Sequence, residues 1–492
     1  MDSSPDPLRK QLKQALRRIA QQDRVIARQD RTILRLRAQV RSLLAKLDAA
    51  RRAGKRQAAP FSRGEPKKNP KPPGRKPGKA YGRHVRRPRP DHADETHEAP
   101  LPNECPHCHA TGQITEDSVQ EQSQEDLPPV RPVRRRFLVH VGRCQNCGRR
   151  VQGRHPLQTS DALGAAAVQL GPRALATATQ MNKELGVPYG KIALFFQTAF
   201  RMTAGRASLC RANLRLARKA QPTYHALVLA LRCAIVVYGD ETGWKIAGRN
   251  AWLWAFVTMR FTVYAIRRSR GSDVVLEILG QEFSGKLGRD GWRPWQILTC
   301  LAQSCLAHHL ERCRELHLEA LAGQARFPLA VKRVLKAALA LRDRRREISA
   351  HGFAVARGRL ESRMDRLLAG RLTHEPNARF ARHLERERPA LFTFLHDPRI
   401  EATNWPAEQA IRPAVINRKT SGGSRSDAGA EAQGMLMSVI RSARQQNRDP
   451  VELFVRLFHA PAPLVLDLVP PTAPPLPAPD KLLPLLPRAQ PA

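Results

Sequence analysis

The sequence has no run of 18 or more apolar residues, so no segment of it is expected to cross a bilayer as a helix. Its start, MDSSPDPLRK, lacks the apolar stretch of a secretory signal, and a cytoplasmic location is expected. Acidic residues are scarce: 43 Asp and Glu stand against 84 Lys and Arg, a formal charge of +41. A field of that sign attracts polyanions and keeps copies of the chain apart, which makes nucleic acid the leading partner. Cysteines number nine in 492 residues, which points to metal ligands or buried thiols rather than a disulfide framework. No Tyr or Ser lies in the Arg- and His-rich setting of a covalent recombinase nucleophile, so tyrosine and serine recombination fit poorly.

The excess charge is concentrated. Residues 1 to 90 hold 27 Lys and Arg against 6 Asp and Glu, about half of the net charge in less than a fifth of the chain. Within that arm, Leu12, Ile19, Ile26, Ile33, Val40 and Leu47 recur every seventh residue, which predicts a coiled-coil seam over residues 1–50 and hence a homodimer or higher oligomer, the ordinary alternative being a lone amphipathic helix packed on its own protein. The second seam position reads Ala15, Gln22, Gln29, Leu36, Leu43, and its glutamines trade pairing strength for register. Residues 51–98 turn to Pro, Gly, Lys and Arg, as in PKKNPKPPGRKPGK, and bury too little apolar area to fold. Arg75 and Lys76 in this linker suit a narrow minor groove of DNA, or are simply solvated.

Two CxxC pairs, Cys105/Cys108 and Cys144/Cys147, mark a module at 99–155. Each pair offers two thiolates from one tight turn, and four thiolates close a tetrahedral structural zinc site, with His107 and His109 as alternates. Residues 156–232 read as helices. LGVPYGKIALFFQTAF and RMTAGRASLCRANLRLARKA form two short helices around a turn near residues 203–205, either a helix-turn-helix for DNA or an ordinary helical pair.

The pattern then changes to strands, and the fold class is read as α/β. AIVVY at 234–238, AWLWAFVT at 251–258 and FTVYAI at 261–266 predict an antiparallel meander. Residues 272–279 read as helix, 285–289 as a fourth strand and 301–395 as helices. Asp240, in YGDETGW, is expected just past the first strand, and Asp290, in GRDGW, just past the fourth, where parallel pairing brings the two together. Asn404 caps a helix that tolerates Pro406 in its first turn and carries Glu408 near its start. Two strand-end aspartates and a helical glutamate are hard oxygen ligands suited to two Mg²⁺ or Mn²⁺ ions, which stabilise both oxygens of an in-line phosphoryl displacement. Taken singly each has an ordinary explanation: a turn cap for Asp240, a turn before Gly291 for Asp290, an ion pair with Arg412 for Glu408. Converging, they repel one another unless a cation neutralises them. Beyond Glu408, Arg412, Arg418, Lys419 and Arg425 surround a flexible Ser421-Gly-Gly-Ser424 stretch, placed to hold a DNA backbone or merely solvated.

Four segments, DETGW at 240–244, Asp290-Gly-Trp, CLAHHLER at 305–312 and TNWPAEQAIRPAVINRKTSGGSRS at 403–426, together resemble the insertion-sequence-sixty-six family of bacterial transposases. The resemblance extends to the order of parts and implies a ribonuclease-H-like catalytic core at 233–445 with a helical insertion at about 314–400. It implies that Asp240, Asp290 and Glu408 are the catalytic Asp-Asp-Glu triad, and that Cys305 and His308 match a C-x-x-H step whose role stays open. Trp405 stands where many members have Asn, and Gln409 where many have Arg. The implied partners are double-stranded DNA, as inverted-repeat ends and target, and small companion proteins of the same element; the implied setting is the bacterial nucleoid. The implied reaction is metal-dependent cleavage of the element end followed by attack of the freed 3′ hydroxyl on target DNA. A non-catalytic DNA-binding regulator and a junction-resolving nuclease are the competing readings. Residues 446–492 end in a Pro- and Leu-rich tail with no assigned role.

Overall fold

A computed structural model describes residues 7–54, 90–112, 114–128, 130–158 and 168–470. Arg75, Lys76 and the Pro-rich tail from residue 471 lie outside the described residues. The chain divides into a smaller unit of residues 63–134 and 198–202 and a larger one of residues 1–62, 135–197 and 203–492. Among the described residues no helix is long and apolar enough to cross a membrane.

Helix α1, Pro7–Gly54, is one 48-residue helix. Its heptad side chains Leu12, Ile19, Ile26, Ile33 and Val40 keep between 45% and 60% of their surface open to solvent. A stripe of this length has no partner within the helix itself, so its apolar face is left uncovered. Further along, β1 (Val141–Arg143) pairs with β2 (Arg150–Gln152) as a short hairpin. Helices α2 (Pro172–Lys183), α3 (Tyr189–Phe200) and α4 (Arg206–Arg232) follow. The second helix of the expected short pair is thus 27 residues long, because its buried face runs from Leu209 through Leu216 and Leu227 to Leu231.

The central sheet holds β3 (Val236–Ile246), β4 (Arg249–Val257), β5 (Thr262–Arg267), β6 (Lys286–Arg289) and β7 (Ala302–Ser304), with α5 (Ser272–Leu279) between β5 and β6. Its order is β5-β4-β3-β6-β7. The first three strands form the expected antiparallel meander; β6 runs parallel to β3, and β7 parallel to β6. The β3–β4 turn has two residues, Ala247 at φ 51° and Gly248 at φ 77°. Positive φ at both positions gives the turn a twist that matches the flanking strands. β7 corrects the expectation of helix from residue 301 onward. Its three residues, Ala-Gln-Ser, carry no alternation to betray a strand, and it forms because β6 offers a free edge.

Between β7 and the last helices lies a helical segment: α6 (Leu306–Glu319), α7 (Arg326–Asp343), α8 (Ala350–Leu368), α9 (Glu375–Glu387) and α10 (Thr393–His396). It shares one apolar core with the sheet, including Leu253, Leu306, Val331, Met364, Leu384 and Phe394. The chain then returns to the sheet as α11 (Trp405–Ser421), α12 (Asp427–Gln445) and α13 (Pro450–His459). Every residue of β5 is buried although it is an edge strand. Its outward amides are covered by α12: Tyr264 N donates to Ser438 Oγ at 2.8 Å and Thr262 N to Ser442 Oγ at 3.1 Å. A helix with serines one turn apart on the facing side thereby removes a sticky edge.

Candidate active site

Asp240 lies within β3, which continues to Ile246, and not beyond the strand's end as the sequence suggests. Gly239 and Gly243 interrupt the apolar pattern, but β4 supplies paired backbone as far as Ile246 opposite Arg249. β6 ends at Arg289, so Asp290 follows it directly, as expected. The parallel register sets Val237 opposite Leu287 and Tyr238 opposite Gly288; carried two residues on, it sets Asp240 opposite Asp290. Asp240 is half-buried, and its pKa is pushed up to about 7, first by burial and then by the charges of Asp290, Glu241 and, more weakly, Glu408. The two aspartates and the glutamate therefore share one electrostatic neighbourhood, 50 and 118 residues apart in the chain.

Glu408 stands in the first turn of α11, with its amide bonded to Asn404 O at 3.1 Å. Asn404 occupies the expected cap position, yet its side chain makes no capping bond. Its Nδ2 donates instead to Gly239 O at 2.7 Å, tying the start of α11 to the strand beside Asp240. Its backbone N–H donates to Cys305 Sγ at 3.1 Å, and its buried Oδ1 has no protein partner among the described residues. A buried acceptor without a donor marks a place where a water or ligand is needed.

Several residues around the three carboxylates escaped the sequence reading because their partners are distant in the chain. Glu241, its side chain 2% exposed, accepts from Arg270 at 2.9 Å and from Trp295 Nε1 at 3.1 Å. Arg270 in turn lies over the Trp292 ring at 4.2 Å, and the Trp292 N–H donates to Asp290 Oδ1 at 3.0 Å. Both carboxylate oxygens of Glu241 are thus engaged, one by a guanidinium and one by an indole, and its pKa is raised first by burial and then by the charge of Asp290. The Trp295 ring, in edge contact with Trp254 at 5.3 Å, packs directly on Gly239. A single methyl there overlaps the indole, which is itself fully buried. Gly239→Ala is therefore expected to lose about 1–3 kcal/mol by overpacking, seen as a lower denaturant midpoint with an unchanged m-value.

Cys305 is the cap residue of α6 and 1% exposed; His308, one turn along, is exposed. Cys305 Sγ, a His308 ring nitrogen and a Glu408 carboxylate oxygen all lie within 4.8 Å of one another. His308 has its pKa raised to about 9, first by its hydrogen bond with Cys305, with Asp290 and Glu408 adding to it. Neighbouring His309 behaves oppositely: it is buried against Ser304 at 2.8 Å, and burial pushes its pKa down to about 3, so it is held neutral.

The basic residues after Glu408 separate into two groups. Arg412, Lys419 and Arg425 are exposed, with Arg412 over the Trp405 ring at 5.2 Å rather than paired with Glu408. Arg418 is turned inward, donating to Thr242 Oγ1 at 3.2 Å and to Gly243 O. The Ser421–Ser424 stretch is anchored, not loose. Ser424 N donates to Lys245 O at 2.8 Å, and Trp244 Nε1 to Ser424 Oγ at 3.1 Å. Gly422 at φ 73° ends α11, and Gly423 at φ 106° passes so close to Lys245 that a side chain would strike its backbone.

The two CxxC turns have the same local build, each taken by itself. Cys105 N donates to Ala110 O at 3.0 Å and His109 N to Cys105 O at 2.9 Å; Cys144 N donates to Arg149 O at 2.9 Å and Gly148 N to Cys144 O at 2.8 Å. The residue after the second cysteine is left-handed in both, at φ 60° for His109 and 68° for Gly148. Backbone hydrogen bonds from His107 and Cys108, and from Cys147 and Asn146, lower the pKa of Cys105 and Cys144. Turns that stabilise thiolates in this way suit zinc. His109 pairs with Glu104 at 2.6 Å and is therefore the less available alternate.

Comparison with known proteins adds a family. A model described as "Transposase IS66 family" matches residues 167–432, which hold the central sheet, helices α6 to α10 and all three carboxylates. Uncharacterized protein y4qI of Sinorhizobium fredii (strain NBRC 101917 / NGR234) is 25% identical over 251 residues, which cover 44% of this chain and 46% of that protein. The chain thus spans less than half the length of this relative.

Proposed function

Since the chain belongs to the IS66 transposase family, we propose that it cleaves and joins DNA with Asp240, Asp290 and Glu408 as its catalytic carboxylates. One observation carries this reading: the parallel register aligns Asp240 with Asp290, and the charges of both Asp290 and Glu408 act on the carboxyl of Asp240. The sheet order β5-β4-β3-β6-β7, with three antiparallel strands followed by two parallel ones, supports a ribonuclease-H-like core.

The three carboxylates would hold Mg²⁺ or Mn²⁺; they fit a hard cation because, without one, Asp240 is half-buried among like charges and keeps its proton up to about pH 7. Bound there, two such ions supply charge stabilisation for the attacking and leaving oxygens of a phosphodiester. The chain's own residues do the rest. Asn404 fixes the start of α11, and so Glu408, against the strand that carries Asp240. Arg270 and Trp295 occupy the two carboxylate oxygens of Glu241, which leaves them less available to a cation. Exposed Arg412, Lys419 and Arg425 position phosphates without reading bases. The uncovered heptad stripe of α1 supports pairing of two copies as a coiled coil. For the CxxC turns the reading is zinc on four thiolates, one ion per chain. Elemental analysis is expected to find that zinc in the wild type and to lose it in Cys108→Ser; an equal content in both removes the assignment.

Asp240 also sets a pH dependence. Its raised pKa means that the ion-free fold favours the neutral carboxyl, an advantage present at acid pH and lost as pH rises through about 7. A divalent cation binds the charged form, so proton and cation compete. The Mn²⁺ concentration needed for half-maximal cleavage is expected to fall as pH rises toward about 7 and then to level off. A titration at several pH values checks this, and a flat profile contradicts it. The direct test of function is incubation of the full-length protein with inverted-repeat DNA and Mg²⁺ or Mn²⁺. Nicked ends followed by joined products are expected; nicks without joining favour a nuclease, and neither product favours a regulator.

A further inference from the structure

We infer that Cys305, His308 and Glu408 form a second metal site, for a borderline ion such as Zn²⁺, which shares Glu408 with the catalytic carboxylates and so competes with their Mg²⁺ or Mn²⁺. The inference rests on the proposed role of Glu408 for its consequence, but the binding site itself does not.

The donors come from two helix starts. Cys305 and His308 are three residues apart across the first turn of α6, and Glu408 lies in the first turn of α11, with the three ligand atoms inside a 4.8 Å span. Sulfur and imidazole nitrogen beside one carboxylate oxygen are the donor set of Zn²⁺, Co²⁺ or Cu²⁺ and a poor one for Mg²⁺, which takes oxygen alone. Three protein ligands leave a fourth position open, as in zinc sites that bind water. The surroundings fit a thiolate. Cys305 Sγ already accepts the Asn404 backbone N–H at 3.1 Å, an interaction that orients and stabilises a metal-bound sulfur. The unpartnered Oδ1 of the same Asn404 gives a water or ligand in this corner an acceptor.

Binding balances simply. Cys305 gives up its thiol proton to solvent and binds as thiolate; His308 releases its second ring proton and binds through a neutral nitrogen; Glu408 turns one carboxylate oxygen from the aspartates to the new ion. First-row affinities rank Zn²⁺ above Mn²⁺ at nitrogen- and sulfur-containing sites. A low level of free zinc is therefore expected to withdraw Glu408 from Asp240 and Asp290 and stop DNA cleavage.

Cobalt and zinc test it in the full-length chain. With Co²⁺ as probe, the difference between wild type and Cys305→Ser is expected to contain a thiolate-to-cobalt charge-transfer band beyond that of the CxxC cysteines, and His308→Ala, at an exposed position, is expected to lose the same contribution. Elemental analysis is expected to find one more zinc per chain in the wild type than in either variant. In cleavage assays at fixed Mg²⁺, each protein is compared with itself without zinc. The zinc needed for half inhibition is expected to rise in both variants by more than the roughly 10–100-fold that loss of an outer-shell partner costs. Identical cobalt spectra and zinc contents in wild type and both variants overturn the site. An unchanged zinc sensitivity with altered spectra overturns the competition. A chain without cleavage activity would sink the proposed reaction, while the cobalt and zinc measurements would still decide the site.

Discussion

Asp240→Asn is expected to lower metal-dependent DNA cleavage by about a thousandfold or more while leaving DNA affinity within about twofold. The size follows from charge: a cation ligand lost from the reacting centre forfeits several kcal/mol of transition-state stabilisation, and each 1.36 kcal/mol is a factor of ten. The selectivity follows from geometry. Asn keeps the oxygen that accepts the Glu241 N–H at 2.9 Å, so β3 and its pairing with β4 and β6 are undisturbed. DNA affinity comes chiefly from Lys and Arg on phosphates, none of which this change touches. Asn also removes a carboxylate that burial and Asp290 disfavour, so the ion-free variant is expected to be at least as stable as the wild type above about pH 7. Cleavage rates with a labelled inverted-repeat duplex, alongside gel-shift affinity, check both halves. Retained cleavage would remove Asp240 from the mechanism.

The second large effect lies outside the carboxylates. Arg289 ends β6 immediately before Asp290 and forms a buried ion pair with Glu387 of α9 at 2.7 Å, the side chains 7% and 0% exposed. Gln296 also donates to Glu387, at 2.5 Å, and the Arg289 guanidinium donates to the Asp290 carbonyl at 2.9 Å. Helix α9 is thereby fastened to the strand end that presents Asp290. Glu387→Ala leaves a buried guanidinium without its counter-charge, and truncating one partner of such a pair typically costs about 3–5 kcal/mol. We expect a loss of that order in denaturant unfolding, and slower cleavage by the protein that remains folded, since Asp290 loses a fixed neighbour. Replacing both partners, as Arg289→Met with Glu387→Leu, is expected to restore much of the stability. If Glu387→Ala unfolds at the wild-type midpoint, the pair does not anchor α9 to β6.

Much of the site was legible because its parts are marked by chain direction. The step from an apolar run into Asp290, and the Asn-Trp-Pro start before Glu408, locate a strand end and a helix start from local chemistry, whereas the same step into Asp240 suggests an end where β3 runs on to Ile246. What the sequence hid depends on partners. Gly239 reads as a strand breaker, yet here it admits Trp295 from 56 residues away while β4 carries the strand past it. Ser421-Gly-Gly-Ser424 reads as a loose loop, but its glycines are needed where the chain turns left-handed against Lys245. Asn404 reads as a helix cap, and the nearby Gly239 carbonyl takes its amide instead. β7 has too few residues for any pattern, and Glu241 takes its hydrogen bonds from residues 29 and 54 positions on. The C-x-x-H step was visible, but its third ligand, Glu408, lies 100 residues beyond His308 and becomes a neighbour only in the fold.

The central claim is that residues 240, 290 and 408 grip the same cations. Crystals of the full-length chain grown with Mn²⁺, measured at the manganese absorption edge, address it most directly. Anomalous peaks bonded to carboxylate oxygens of all three residues are the predicted result. Manganese bound elsewhere, or held by one of the three without the others, would contradict it.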